Sequence, residues 1–172
     1  MNITFSILIS CYINDDPNEL NKSLNSIVNQ TISPQQIVLV CDGPLEEFQY
    51  RVINNFEKKA IDLNIKTDII KLDKNYGLGS ALAKGSLYCI GSHIVRMDSD
   101  DICDHKRLEM LQTELINNSS IDILGSYIEE FQDEIGDLKR IRKVPLTHKK
   151  ILYRSKFMNP MNHVTACIRR EV

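Results

Sequence analysis

Strand-length runs of almost uninterrupted apolar residues, separated by segments of helical period, constrain this chain most. Phe5–Cys11 reads FSILISC and Ile37–Cys41 reads IVLVC. Such runs suit strands buried on both faces, which is the situation of a strand inside a parallel sheet. Ile65–Leu72 and His93–Met97 supply a third and a fourth strand. Between them, Asp16-Pro17 reads as an N-cap with proline in the first turn. Leu20, Leu24, Ile27 and Val28 then recur at helical spacing, which predicts a helix over 17–30. Phe48, Val52, Phe56 and Ala60 predict a second over 45–63, Leu78–Ile90 a third, and a fourth over 105–117 is expected to be capped by Asp104. Ile121–Phe131 reads as extended, with Ile135–Val144 pairing against it. The β-α-β-α-β-α-β order implies an α/β fold: a mostly parallel, Rossmann-like sheet with helices on both faces. At 172 residues, 42% of them hydrophobic, the chain suits one domain over 1–172 with a substantial core.

In open α/β sheets ligands gather at the carboxyl ends of the strands. The polar punctuation of this chain falls there, at Ser10 to Tyr12, Asp42, Asn75 to Gly79, and Asp98 to Asp101. The last of these places Asp98, Asp100 and Asp101 just past a buried strand. Two unit charges about 5 Å apart at an effective dielectric near 20 repel by roughly 3 kcal/mol. An all-oxygen cluster under that repulsion points to a hard divalent cation. Acidic triplets also occur in solvated loops, so position carries the argument.

The other segments admit two readings each. Asp42 can cap the following helix or accept hydrogen bonds from the donor edge of a base. Tyr12 can be core or can stack beside a base. Gly77 and Gly79 form a G-x-G without the third glycine of a dinucleotide fingerprint, since Gly85 falls two residues too late. They read as allowing close backbone approach and starting a helix. His163, in Asn159–His163, admits a structural or a catalytic role.

Charge narrows the partners. A formal net charge of −2 argues against a general affinity for nucleic acid. Yet Lys139 to Lys156 carries eight of the 21 Lys and Arg residues and no acid. That stretch is either a solvated ribbon or a surface attracted to anionic head groups or a lipid-linked phosphate acceptor. The five cysteines (11, 41, 89, 103, 167) show no C-x-x-C pair, as expected of free thiols in a reducing cytosol. The N-terminal MNITFSILISCY lacks the basic region and the apolar length of a leader or a membrane span. The expectation is a cytoplasmic chain, peripheral at the inner face of the membrane.

Together these segments resemble the family 2 glycosyltransferases, which have the GT-A fold, and most of all the bacterial branch that builds capsule, O-antigen and other surface polysaccharides. The resemblance rests on SILISCY (6–12), LVCDGPL (39–45), NYGLGSALAKG (75–85), IVRMDSDDI (94–102) followed by Arg107-Leu108-Glu109, and NPMNHVTACIRR (159–170). It implies a nucleotide-diphosphate-sugar donor, foremost a UDP-sugar, and Mn²⁺ or Mg²⁺. It also implies inverting transfer to a saccharide or lipid-linked saccharide acceptor. By position, Ser10, Tyr12 and Asp42 would contact the base. Asp98 would sit near the ribose or metal, Asp100 would bind the metal, and Asp101 would support it.

The chain departs from the family in Ser10 for proline, Cys41 for an acid, and Leu82-Ala83 for Arg-Asn. Lys84 or Arg96 could replace the diphosphate contact of that missing arginine. The family's catalytic base belongs to an acidic motif expected beyond Val172, so the chain reads as a donor-binding portion truncated at its C-terminal end. The alternatives are a non-catalytic nucleotide-sugar-binding module and a sugar nucleotidyltransferase. The latter calls for a glycine-rich basic loop after the first strand, where Ile13 to Pro17 is acidic instead.

Overall fold

The computed structural model describes residues 3–172. Met1 and Asn2, the start of the stretch read above for a leader, lie outside the described residues. Strand β1 (Phe5–Cys11) and strand β2 (Gln36–Cys41) are buried at every position, including the polar Ser6 and Gln36, where the Ser6 hydroxyl donates to the Gln36 amide oxygen at 2.6 Å. Strand β3 (Lys66–Lys71) and strand β4 (His93–Asp98) complete a parallel set in the spatial order β3-β2-β1-β4.

Alternate residues of these strands feed two cores. Ile7, Ile9, Ile37, Leu39, Val95 and Met97 pack under helices α1 (Pro17–Val28), α2 (Glu47–Asp62) and α4 (Arg107–Asn117). Leu8, Val38 and Val40 face helix α3 (Leu78–Ser86) on the other side. The close seat of α3 depends on Gly85, where a Cβ would lie 2.6 Å from both Leu8 Cδ1 and Val40 Cγ2.

Helix α1 starts as expected: the Asp16 carboxylate accepts the N–H groups of Asn18 and Glu19 at 2.7 and 3.2 Å. Three local expectations need correction. In α2 the inward stripe is Gln49, Ile53, Phe56 and Ala60, while Phe48 is exposed, because the polar Gln49 finds buried partners. Helix α3 ends at Ser86 instead of Ile90. There the buried Ser6 hydroxyl and Gln36 carbonyl oxygen capture the Ile90 N–H at 3.1 and 2.9 Å. Helix α4 begins at Arg107, because Asp104 spends its carboxylate on the Lys106 N–H (2.8 Å) in a turn that precedes the helix.

The extended segment after α4 divides. Strand β5 (Ile123–Leu124) joins the main sheet, whereas strand β6 (Ile128–Glu130) pairs antiparallel with strand β7 (Arg140–Arg142) in a separate ribbon. Helix α5 (His148–Arg154) follows. Strand β8 (Cys167–Arg169) then inserts antiparallel between β4 and β5, which completes six strands in the order β3-β2-β1-β4-β8-β5. Successive connections run outward from β1 to β2 and β3, then return to β4 on the other side of β1. The β1–β4 boundary is therefore the point where strand order reverses, the place at which open α/β sheets hold ligands beside the carboxyl ends of their strands.

Candidate functional site

Ser10 and Asp98 are register partners at that boundary, so the ends of β1 and β4 bring their segments together. Asp98 closes β4, and Asp100 and Asp101 follow in the turn. One carboxylate oxygen of each lies within 4.8 Å of the others. The buried Arg96 guanidinium grips Asp98 from below, with contacts of 2.5 and 3.0 Å to its two oxygens. Three carboxylates and one guanidinium leave a formal charge of about −2, which a divalent cation would balance. All candidate ligands are oxygens, and Asp100 is solvent-exposed, so the donor set fits Mn²⁺ or Mg²⁺. Arg96, one of the two cations expected in place of the family arginine, is engaged with Asp98.

The crowding shows in proton affinity. Burial, then the charges of Asp100 and Asp98, push the Asp101 carboxyl up from 3.8 to about 6, against the pull of Arg96 and Arg107. Asp15 is raised too, chiefly by burial and then by Asp100 and Asp98, while hydrogen bonds from Ser99 and Tyr12 oppose the shift.

Asp15 links two halves of the site. Its Oδ2 accepts the Ser99 hydroxyl at 2.6 Å and the Tyr12 N–H at 3.1 Å. The loop after β1 is thus latched to the acidic turn. Gln49 fixes the same loop from beneath, its amide reaching the carbonyls of Tyr12, Ile13 and Asp15 at 2.9, 3.3 and 2.8 Å. Its own carbonyl accepts the Glu46 N–H at 3.0 Å. The Ser23 hydroxyl on α1 donates to the Asp98 carbonyl at 2.9 Å and holds the end of β4. Sequence reasoning missed Gln49, Asp15 and Ser23 beside the acidic turn, because each acts through a partner distant in sequence.

Ser10 is buried at the floor, whereas Tyr12 is 39% exposed at the rim, which removes the core reading of its ring. Asp42 does not cap α2, whose N-cap is Glu46. Its Oδ1 instead accepts the Tyr76 N–H at 2.8 Å, and Oδ2 carries no hydrogen bond among the described residues. The neighbouring Gly43 has φ +95°, and a Cβ there would lie 2.8 Å from the Asn75 nitrogen, so the two loops meet backbone to backbone. Gly79 has open space where a Cβ would stand, so packing does not demand its glycine. The Lys84 ammonium sits 3.4 Å from the Tyr76 ring centroid, with Lys74 at 5.2 Å.

His163 opens the short 3-10 turn His163–Thr165, which Arg107 ties to β4 by donating to the carbonyls of Arg96 (2.9 Å) and Val164 (3.1 Å). Burial and the Arg96 charge lower the His163 pKa while Asp98 opposes them, so this ring shares the electrostatic field of the site. A cavity of about 640 Å³ lies beside the acidic turn, between α4 and the β5–β6 segment. Met97, Leu111, Tyr127 and Phe131 line it, and it shares only Asp101 with the triad. The basic stretch falls on β7, α5 and their connections and makes no hydrogen bond to these site residues among those described. All five cysteines are buried free thiols. Among the described residues no helix is long and apolar enough to cross a membrane.

A family profile described as glycosyl transferase family 2 matches residues 6–172. The chain is 36% identical over 166 residues to the UDP-Gal:alpha-D-GlcNAc-diphosphoundecaprenol beta-1,3-galactosyltransferase of Escherichia coli, covering 96% of this chain and 58% of that protein. It is 34% identical over 167 residues to the amylovoran biosynthesis glycosyltransferase AmsE of Erwinia amylovora, covering 97% and 60%. The chain thus spans less than two thirds of the length of these relatives. Among solved structures, S. aureus TarS 1–349 in complex with UDP superposes with a TM-score of 0.71 at 18% identity, covering 98% of this chain and 47% of that one. The mannosyltransferase PcManGT from Pyrobaculum calidifontis, in complex with GDP-Man and Mn²⁺, gives 0.68 at 11% identity, covering 99% and 46%. At these identities the structures establish the shared GT-A fold.

Proposed function

The chain belongs to glycosyl transferase family 2, and on that premise we propose that it is the donor-binding portion of an inverting, metal-dependent enzyme. The donor is a nucleotide-diphosphate sugar, with UDP as its nucleotide. The acceptor is a growing surface polysaccharide or a lipid-linked saccharide, met at the cytoplasmic face of the membrane through the basic stretch Lys139–Lys156. The observation that carries this reading is the clustering of Asp98, Asp100 and Asp101 at the strand-order reversal, beside Ser10, Tyr12 and Asp42. Two relatives support the choice of partners: the E. coli protein is named for UDP-Gal and a diphosphoundecaprenol-linked sugar, and TarS was crystallised with UDP.

Each residue has a task that its surroundings allow. Tyr12 offers the face of its ring to the base from a loop that Gln49 and Asp15 hold still. Asp42 is oriented by its bond from Tyr76 and presents its second oxygen to a base N–H. Ser10 closes the floor beneath. Asp100 and Asp98 would hold the metal ion, with Asp101 in support. When bound, that ion would neutralise charge growing on the departing diphosphate. Lys84, above Tyr76, supplies a further cation on the diphosphate side. The acceptor-activating base is assigned to none of these residues. Replacing Asp100 with alanine tests the site: metal-dependent UDP binding is lost, and unchanged affinity with Mn²⁺ present would overturn the assignment.

A further inference from the structure

Helix α5 buries none of its residues, and the segment around it is exposed in an unusual composition. Leu146, Leu152, Tyr153 and Phe157 are 73, 57, 66 and 70% exposed, and Met158 is exposed beside them. Tyr153 and Phe157 meet edge to face, with ring centroids 5.6 Å apart, and form one aromatic knob. Lys149, Lys150, Arg154 and Lys156 lie on or just after the same helix, within a run of eight Lys and Arg residues from Lys139 to Lys156 that holds no acid. Among the described residues only Arg140 of these eight is ion-paired, with Glu130 at 2.8 Å.

We propose that this ridge docks on an anionic phospholipid bilayer, with Leu152, Tyr153, Phe157 and Met158 entering the head-group–acyl boundary and the surrounding cations contacting lipid phosphates. A covering protein segment would strip water from cations that hold no ion pair among the described residues. A head-group layer takes up apolar side chains while leaving long basic side chains in a wet, anionic zone. This deepens the membrane contact of the proposed function. It can fail independently of the nucleotide site, because no residue of the ridge belongs to that site.

The test is co-sedimentation of the chain with vesicles of phosphatidylcholine alone or mixed with phosphatidylglycerol, at low and high salt. UDP binding with Mn²⁺ is measured in parallel. Binding is expected only with phosphatidylglycerol, weaker in high salt. Each basic residue near such a surface raises partitioning about fivefold, so Lys149→Glu with Lys150→Glu lowers it at least about 25-fold. Leu152→Ser with Phe157→Ser lowers it about tenfold or more. Both double variants keep the parent's UDP affinity. Absence of vesicle binding, equal binding to neutral vesicles, or indifference to charge reversal would overturn the proposal. So would self-association through Leu152 and Phe157 without vesicle binding. Vesicle binding in a chain that fails to bind UDP would support the ridge and remove the donor reading alone.

Discussion

Asp101 gives the sharpest test of the charge crowding in the acidic turn. Its carboxyl is pushed up from 3.8 to about 6, first by burial and then by Asp100 and Asp98. At about 1.4 kcal/mol for each tenfold change in proton affinity, ionising it in the folded state costs about 3 kcal/mol. The side chain is half-buried, and solvent screening reduces this to about 1–2 kcal/mol. Asp101 accepts no hydrogen bond among the described residues, so Asp101→Asn removes the charge and little else.

The sign follows from linkage. A carboxyl whose folded pKa is raised destabilises the fold above that pKa, and the cost disappears below the unfolded value. The variant should therefore be more stable than the parent by about 1–2 kcal/mol at pH 7.5 in EDTA, with the gain shrinking as pH falls from about 6 towards 3.8. Urea denaturation across that pH range measures it, and added Mn²⁺ should narrow the gap by stabilising the parent. A variant less stable than the parent at pH 7.5, or a gain independent of pH, would refute the reasoning.

Two further substitutions probe how the fold positions the site. Gln49→Leu leaves the carbonyls of Tyr12, Ile13 and Asp15 without their buried donor, at a cost of about 1–3 kcal/mol. UDP affinity measured on the folded variant should fall by about tenfold as the loop loosens; unchanged affinity would disconnect that loop from the nucleotide. Gly85→Ala forces a methyl to within 2.6 Å of Leu8 and Val40. It should cost about 1–3 kcal/mol in a urea melt, and a neutral result would show that α3 can shift on the sheet.

The central strands were legible because a strand buried on both faces is apolar at most positions, and Ile37–Cys41 is wholly apolar while Phe5–Cys11 departs only at Ser6 and Ser10. Strand β8 was not: three residues inserted beside β4 owe their conformation to pairing with His93, Ile94 and Val95 rather than to local pattern. The α2 face was misread because periodicity treats Gln49 as polar and therefore outward, whereas the loop carbonyls beneath make its burial favourable. Asp42 looked like a cap from its place before a helix, and only the approach of Tyr76, 34 residues on, gives its carboxylate a different partner. Asp15 and Ser99 lie 84 residues apart, and no spacing rule anticipates their bond. The convergence of Ser10, Asp42 and the acidic turn on one sheet edge was legible, because strand ends in a parallel sheet share an edge whatever the loops do.

The most direct measurement of the central claim is calorimetric titration of this chain with UDP and with GDP, each in Mn²⁺ and in EDTA. The account predicts saturable binding of UDP in Mn²⁺, loss of that binding in EDTA, and weaker or absent binding of GDP. Equal UDP affinity with and without the metal would contradict the role given to Asp98 and Asp100, and no binding of either nucleotide would contradict the donor site as a whole.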